Sequence, residues 1–491
     1  MATPAWRLLR LSGQVDLRLS SNLITRSNLP TNLRVGYSFG LSVRNISNLK
    51  ANNTNSLRDR TLSWLSRNAS SKTLSLSQEL AAQVNSFTAV PFPVSDTARS
   101  NEAFTDASTD AVDTDSEYAA RYPTKRIVGY WFLYCAALVF AIVVVGGVTR
   151  LTESGLSITE WNLISGMKPP RTEEEWNVEF NKYKLFPEYK LLNHNITLNE
   201  FKFIFYMEWG HRMLGRFIGL SFILPGLYFA ARGYMSPAIR NRSLLIATLI
   251  GGQGILGWYM VKSGLREELM EAKAFHGVSQ YWLAAHLGSA FIIYSMMLLT
   301  GFEILRTSGR NASVLAKQIV TLTQTQPAFK TFSRSTHQIA TLIFLTAFSG
   351  AFVAGLDAGL IYNEFPFMGN SLMPSDMWAL SDAAVHEKPI PKWRNLLENA
   401  SAVQFNHRWL AMTTATAVAG LWVASRRFTL PRSSRLAVNA LIGVTALQVT
   451  LGISTLLYLV PVPLAAAHQS GSLLLLSTSL WLLHTLRRLP K

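Results

Sequence analysis

The chain has 491 residues, a formal net charge of +17, 49% apolar residues and 15% charged residues. Charged residues make up about 25% of a typical soluble domain, and the apolar residues here cluster in long runs, so an ordinary soluble enzyme is excluded. The single cysteine, Cys135, excludes an intramolecular disulfide and any cysteine-rich metal site.

The N-terminal region has the composition of a targeting signal. Residues 1–75 carry eleven basic side chains and two acidic ones, among many Ser, Asn and Thr residues. This composition predicts a mitochondrial transit peptide or disordered segment over residues 1–95, the alternative being a basic tail without a targeting role. Since over half of the excess charge lies here, the basic balance does not indicate nucleic-acid binding. An acidic, solvated linker is predicted over residues 96–125.

Eight apolar segments follow the linker, and a membrane-spanning helix needs about 20 mainly apolar residues. The sequence therefore predicts an all-α integral membrane protein with eight transmembrane helices. The predicted spans are 127–148, 203–231, 244–262, 281–302, 338–356, 403–424, 436–460 and 463–485.

The distribution of basic residues predicts the orientation of the spans. The loops at 232–243 and 425–435 contain basic residues and no acidic ones, whereas residues 149–200 contain six basic and eight acidic side chains. The positive-inside rule then places both termini on the same, basic side. In a mitochondrial inner membrane, that side is the matrix.

The membrane region contains an internal repeat, because four short motifs of the first four spans recur in the same order in the last four. The repeat predicts two four-helix bundles, at 126–305 and 336–491, joined by a matrix linker at 306–335. The matched motifs are Gly146–Leu156 with Gly350–Leu360, His211–Gly215 with His407–Ala411, Gln253–Gly257 with Gln448–Gly452, and Ala284–His286 with Ala466–His468.

One histidine lies at a matched position in each even-numbered span. Paired imidazoles from two helices of a bundle can ligate a heme iron from both axial sides, so two pairs predict two hemes. The alternative is that each intramembrane histidine is a hydrogen-bond partner or proton relay. The predicted iron ligands are His211, His286, His407 and His468; the predicted non-ligands are His194, His276, His337, His386 and His484.

Glu208 distinguishes the two halves. It lies three residues before His211 on the same helix face, whereas the matched residue before His407 is the neutral Gln404. Since an ionisable group within a span is costly and usually functional, Glu208 is predicted to be catalytic. The alternative is that Glu208 only forms an ion pair with Arg212.

An arginine follows one predicted ligand in each half. Arg212 and Arg408 are predicted to contact heme propionates through their guanidinium groups. The alternative is that both side chains extend towards the membrane surface. Arg150 is a third candidate for a propionate contact.

Several blocks of the sequence resemble the mitochondrial heme A synthases, a family of cytochrome c oxidase assembly factors. The resemblance runs from about residue 125 to residue 488 and includes GGVTRLTESGLSITEW at 146–161, MEWGHRMLGR at 207–216, LAAHLGSA at 283–290 and PLAAAHQSGSL at 463–473. It implies an enzyme that oxidises a methyl group of heme O to the formyl group of heme A. The resemblance further implies that the pair matching His211 and His286 holds heme O, that the pair matching His407 and His468 holds heme b, and that Glu208 is the essential carboxylate.

Some bacterial relatives carry a cysteine pair in the first outer loop, and this chain has none there, so its redox partner is left open. The sequence also leaves open the oxygen source and the oligomeric state, which could be a homo-oligomer. Contact with the farnesyltransferase that makes heme O is left open as well.

Two other functions compete with heme A synthesis. One is a di-heme electron-transfer cytochrome of the b type, and the other is a repeat-built transporter.

Overall fold

The computed structural model describes residues 124–162, 168–266, 277–307, 312–381 and 390–487. Within these ranges the structure is helical, and its β-structure is limited to an isolated bridge between Met368 and Ser371. The predicted transit peptide lies outside the described residues, as does the predicted acidic linker apart from its last two residues. The α-helices are α1 Arg126–Leu151, α2 Glu173–Tyr183, α3 Pro187–Leu191, α4 Leu198–Ala231, α5 Pro237–Gly264, α6 Gln280–Thr307, α7 Ala312–Thr325, α8 Pro327–Gly355, α9 Lys392–Glu398, α10 Ala400–Ser425, α11 Arg432–Leu457 and α12 Val462–Leu486.

Six of these helices, α1, α4, α5, α6, α8 and α11, are long and apolar enough to cross a membrane. The prediction of an all-α membrane protein is confirmed at this level. Helices α10 and α12 have 26 and 25 residues, but polar side chains near their N-terminal ends lower their mean hydropathy. Assignment of all eight long helices as spans is therefore taken up under Proposed function.

Three helices begin well before the predicted start, and one of them, α5, begins at Pro237 rather than near residue 244. Helix α4 begins at Leu198 rather than near residue 203, because Thr197 and Glu200 form a capping box that satisfies its first N–H groups. Helix α8 begins at Pro327 rather than near residue 338; its proline suits the first turn, where no N–H partner is needed. Much of the segment predicted as a linker, 306–335, is thus helical, since α7 also lies in it.

The long helices form an inner and an outer layer. Helices α1, α6, α8 and α12 contact one another and make up the inner layer, in which α1 packs along α6. Outside them lie α4 and α5 on one side and α10 and α11 on the other. Helix α5 buries very little of its apolar length within the protein. Such a surface fits lipid contact, since lipid is the natural solvent of an exposed apolar helix.

The inner layer is held together by aromatic and aliphatic packing with close backbone approach. Trp131 of α1 stacks on Phe222 of α4 at a centroid separation of 4.7 Å, and both side chains are buried. Helices α1 and α6 approach closely at Gly301, where an added Cβ would lie 2.7 Å from the side chain of Leu133 and 3.1 Å from the carbonyl oxygen of Gly129. Small residues permit this spacing, as is usual for helices in membranes.

A short helical cap covers one end of α4. Helices α2 and α3 lie between α1 and α4 in the chain, and their aromatic side chains pack on the N-terminal end of α4. Trp176 contacts Phe205 edge-to-face at 5.0 Å, and Phe180 stacks on Phe201 at 4.9 Å. The cap thereby buries polar groups that would otherwise lie in an open loop.

We expect Gly301→Ala to destabilise the protein by about 1–3 kcal/mol, the usual cost of overfilling a packed interior. The new Cβ meets a backbone oxygen, which cannot move without shifting α1. The matched control is Gly443→Ala, because Gly443 lies in α11 with no neighbour within 4 Å of an added Cβ. Thermal unfolding in detergent should show a lower midpoint for the first variant and an unchanged or higher midpoint for the second. Equal midpoints would contradict the role of the close α1–α6 contact.

Candidate functional site

Each of the four predicted histidines packs against a glycine of the preceding long helix. A Cβ added at these glycines would lie 2.8–3.2 Å from the nearest ring atom, closer than ordinary van der Waals contact. The helix pairs therefore hold the imidazoles in cradles that even an alanine would fill. The contacts are Gly146 with His211, Gly257 with His286, Gly350 with His407, and Gly452 with His468.

The members of each predicted pair come from the same half of the protein. His211 of α4 and His286 of α6 belong to the N-terminal half, and His407 of α10 and His468 of α12 belong to the C-terminal half. The members of a pair come from two different helices of one half, which is the arrangement that axial ligation of a heme requires. Among the described residues, no group of three or more His, Cys, Asp and Glu side chains could hold a metal ion. A heme iron needs only two protein ligands, because the porphyrin supplies the other four.

The ring of His211 differs in orientation from the other three rings. At Gly146 the nearest atom of His211 is Nε2, at 3.1 Å. At Gly257, Gly350 and Gly452 the nearest atom of the cradled histidine is Cε1. His211 also lies more than three turns from the start of its helix, because α4 extends beyond the others at this end.

The polar neighbours of the histidines differ as well. Ser349 Oγ lies 2.7 Å from His407 Nδ1, and Gln448 Nε2 lies 3.1 Å from His468 Nδ1. Gln448 Oε1 is buried without a partner among the described residues, so rotation of this amide by half a turn would present an acceptor to a protonated His468 Nδ1. In the N-terminal half Gln253 donates to the backbone carbonyl of His286, at 2.7 Å, and its Oε1 accepts from Ser289. The Nδ1 atom of His286 is buried and has no hydrogen-bond partner in the part of the chain that the structure describes. Sequence analysis identified the histidines but missed these neighbours.

Glu208 is 2% exposed and accepts four hydrogen bonds. Its Oε1 accepts from Arg212 Nε at 3.0 Å and Nη2 at 2.6 Å. Its Oε2 accepts from Ser157 Oγ at 2.8 Å and from the backbone N–H of Ile158 at 2.7 Å. The ion pair with Arg212 is therefore present, and the carboxylate also anchors the segment that follows α1. Since a carboxylate offers about four acceptor positions, all of them are occupied.

Gln404 occupies the matched place in the other half and anchors the segment after α8. Its Nε2 donates to the carbonyls of Ala358 at 2.7 Å and Ile361 at 2.6 Å, while its Oε1 accepts from Arg408 at 2.9 Å. The amide thus donates where Glu208 accepts. The two segments differ accordingly, one presenting N–H and O–H groups and the other presenting carbonyl oxygens.

The three predicted propionate-binding arginines make contacts within the protein. Arg212 donates to the carbonyls of Ile158 and Glu160 in addition to Glu208, and its side chain is 10% exposed. Arg408 likewise donates to backbone carbonyls after α8, although its Nε is buried without a partner. Arg150 forms an ion pair with Asp357 at 3.0 Å, which joins the end of α1 to the end of α8.

A pocket lies beside Arg212. Its lining includes Trp161, Trp258 and Lys262 in addition to Arg212. The Arg212 guanidinium lies 5.0 Å from the ring of Trp161, and Lys262 Nζ lies 5.2 Å from the ring of Trp258. The lining also includes Glu160, whose carboxylate pairs with Lys182 at 3.0 Å, so the two cations of the pocket can still suit an anionic group. Sequence analysis did not identify Lys262 as a pocket residue, because it is the last residue of the predicted span 244–262.

Of the predicted non-ligands, His194 and His337 are exposed. His484 lies near the end of α12, where its backbone carbonyl accepts from Arg306 at 2.5 Å. His276 and His386 lie outside the described residues. None of the three described histidines is held in a glycine cradle like those of the four predicted ligands.

Glu188 of the cap is a buried carboxyl group that sequence analysis missed. It is 4% exposed, and its Oε2 has no hydrogen-bond partner in the described part of the chain. Burial, followed by the negative charges of Glu208 and Glu153, raises the pKa of Glu188 well above its ordinary value, against the opposing charge of Arg150. Only tertiary packing of α3 reveals it, because the surrounding sequence is that of a polar loop.

Comparisons with known proteins identify the family of the chain. The family model described as a cytochrome oxidase assembly protein matches residues 129–480. The chain belongs to this family. It is 50% identical over 367 residues to a protein from Homo sapiens named "Heme A synthase COX15", covering 75% of this chain and 84% of the relative. A bacterial "Heme A synthase" from Nitrosospira multiformis is 42% identical over 385 residues, covering 78% of this chain and 99% of the relative.

A third relative has an additional part. The "Heme A synthase-mitochondrial ferredoxin fusion protein" of Schizosaccharomyces pombe is 45% identical over 368 residues, covering 73% of this chain and 60% of the relative. The match thus spans the region of the long helices in mitochondrial and bacterial members alike.

We expect Glu188→Gln to stabilise the protein at neutral pH. The unfolded carboxyl ionises near pH 4.3, whereas the buried one stays protonated to higher pH, so the wild type loses stability as pH rises from about 4 to the raised pKa. Glutamine cannot ionise and avoids that loss. Melting midpoints in detergent should therefore diverge above about pH 4 and coincide below it. The exposed Glu173, changed to Gln, is the control, and a pH-independent difference for Glu188→Gln would contradict the raised pKa.

Proposed function

We propose that the chain is a heme A synthase, an oxidoreductase that converts a methyl group of heme O to the formyl group of heme A for cytochrome c oxidase assembly. The observation that carries this proposal is the pairing of four cradled histidines, with a carboxylate beside one pair only, in a chain of the cytochrome oxidase assembly family. A di-heme electron-transfer cytochrome needs no such difference between its halves.

We propose that all eight long helices span the mitochondrial inner membrane as two related four-helix bundles. Helices α10 and α12 are about 39 Å and 37 Å long, more than the roughly 30 Å of the hydrocarbon core. Their polar residues include the proposed heme ligands and neighbours of those ligands, of which Gln404 is buried in the protein. The basic loops support, by the positive-inside rule, a topology with both termini in the matrix and the heme sites towards the intermembrane space.

In the proposed assignment, His211 and His286 hold the substrate heme O, while His407 and His468 hold the resident heme b. When bound, heme b supplies one-electron transfer between the substrate site and the redox partner. The Ser349 hydroxyl lies 2.7 Å from Nδ1 of His407, and this additional contact in the C-terminal half suits a permanent group. Arg212 and Lys262 line one pocket at the substrate half, so we propose that this pocket receives a propionate of heme O.

Glu208 acts by its charge in this proposal. Oxidation of the methyl group withdraws electrons from its carbon, and a fixed carboxylate nearby stabilises the positive charge that develops. Because its four acceptor positions are already occupied, Glu208 is better suited to this role than to accepting a proton. Successive hydroxylations, with oxygen from water or O2, and loss of water then give the aldehyde.

A ferredoxin is the proposed redox partner. The Schizosaccharomyces pombe relative carries a mitochondrial ferredoxin in its name as part of the same chain. Ferredoxins hold iron–sulfur clusters and transfer electrons, the exchange that heme b would require. We propose that a ferredoxin of this kind exchanges electrons with heme b. Contact with the heme O-producing farnesyltransferase stays a prediction.

Extraction and mass analysis of the bound pigments tests the function. The purified wild type should contain heme B together with heme A or a hydroxylated heme O, whereas heme B alone would favour the electron-transfer cytochrome. A colourless protein would favour the transporter and overturn the proposal. His468→Ala should lose the b-type absorbance while the N-terminal half still binds added heme O, and an unchanged spectrum would refute the ligand assignment.

We expect Glu208→Gln to bind both hemes but to form heme A at a rate at least about 100-fold lower, as when other charge-stabilising groups are removed. The neutral amide keeps the size of the side chain and removes the charge. Single-turnover conversion of bound heme O, followed by mass analysis, measures the effect. The control is Gln404→Glu, which alters the matched position outside the substrate half. Normal heme A formation in Glu208→Gln would remove Glu208 from the mechanism.

A further inference from the structure

The hydrogen bonds around Ser349 determine which nitrogen of His407 carries the proton. Ser349 Oγ lies 2.7 Å from the carbonyl oxygen of Thr346 and 2.7 Å from His407 Nδ1. A carbonyl can only accept, so the serine hydroxyl donates its hydrogen to Thr346 and presents its lone pairs to the imidazole. Nδ1 must then carry the proton. In the neutral ring this leaves the lone pair of Nε2 free for a metal.

The matched position in the N-terminal half has no hydroxyl group. Ser349 precedes the cradle glycine Gly350, and Val145 precedes the cradle glycine Gly146. A valine side chain cannot accept a hydrogen bond from His211. The ring of His211 is also turned differently, with Nε2 rather than Cε1 nearest to its glycine. The second histidine of that half, His286, has no partner for its Nδ1 within the described residues.

We propose that Ser349 is a positioning residue that fixes His407 in the tautomer presenting Nε2 to the iron of heme b, and that Val145 leaves His211 without this restraint so that the N-terminal pair can release its heme. The inference rests on the proposed function and adds to it a residue that separates retention from exchange. A product heme must leave its site, whereas a resident heme must stay. Partners of ligating histidines typically change metal affinity by about 10–100-fold, which is enough to separate the two behaviours.

The effect also has an electronic component. A hydrogen bond from Nδ1–H to an acceptor makes the imidazole a stronger electron donor, which favours the ferric state of the iron. Loss of the Ser349 acceptor should therefore raise the midpoint potential of heme b. A serine that only filled space would leave this potential unchanged.

The test compares Ser349→Thr with Ser349→Val in the full-length holoprotein in detergent. The two side chains have nearly the same size and differ in a hydroxyl against a methyl group, so a difference between them isolates the hydrogen bond. Heme loss is followed by transfer to excess apomyoglobin, and the midpoint potential is measured by reductive titration. Ser349→Thr should behave like the wild type. Ser349→Val should lose heme b about 10-fold faster and show a higher potential.

The serine Ser472, changed to Ala, is the control, because its hydroxyl bonds to the Gln469 carbonyl of its own helix and to no histidine. Equal dissociation rates and potentials for Ser349→Thr and Ser349→Val would overturn the inference and leave the proposed function intact. A wild type that binds no heme would overturn both, so the two failures are distinguishable. Ser349→Ala gives a second comparison if the valine variant does not fold.

Discussion

The contact between an imidazole ring and a glycine of the neighbouring helix is the constraint on which the site depends. A histidine side chain in an apolar helix has several rotamers, and only close approach of a second helix confines the ring. Gly350 and Gly452 allow that approach in the C-terminal half, and Gly146 and Gly257 allow it in the N-terminal half. The same contact therefore sets the spacing of the helices and the position of the imidazole ring. A larger residue in place of any of these glycines would displace the helix and the ring together.

The difference between Glu208 and Gln404 extends beyond one charged atom. Glu208 can only accept hydrogen bonds, so the segment after α1 turns the Ser157 hydroxyl and the Ile158 N–H towards it. Gln404 donates through its amide, so the segment after α8 turns carbonyl oxygens inward. In each half, the polar groups that the segment turns inward match the donor or acceptor character of one side chain. The negative charge is built into the N-terminal half by its surroundings, and Arg212 compensates it there rather than leaving it exposed to lipid.

The sequence predicted the parts of this protein that residue type and spacing determine. Long apolar runs indicated the helices. The repeated histidines predict the ligand pairs proposed above, because imidazole chemistry is carried by the residue itself. The starts of α4 and α8 were predicted too late, since a capping threonine and a leading proline extend a helix through residues that hydropathy reads as loop. Burial of Glu188 and the bond from Ser349 depend on which side chain a neighbouring element presents. No property of a single segment reveals either of them.

The two halves are joined at the level of the ligands. Gln469 follows His468 in α12, donates to the carbonyl of Val143 in α1 at 2.9 Å and packs on Gly147. The adjacent residue of α1, Gly146, is the glycine that packs against His211. One inner-layer contact thus fixes the position of a ligand of each pair relative to the other. Electron transfer depends on a constant separation of the two hemes, and the inner layer can provide it while α4 and α5, which lie outside that layer, are the elements open to lipid and to a lipophilic substrate.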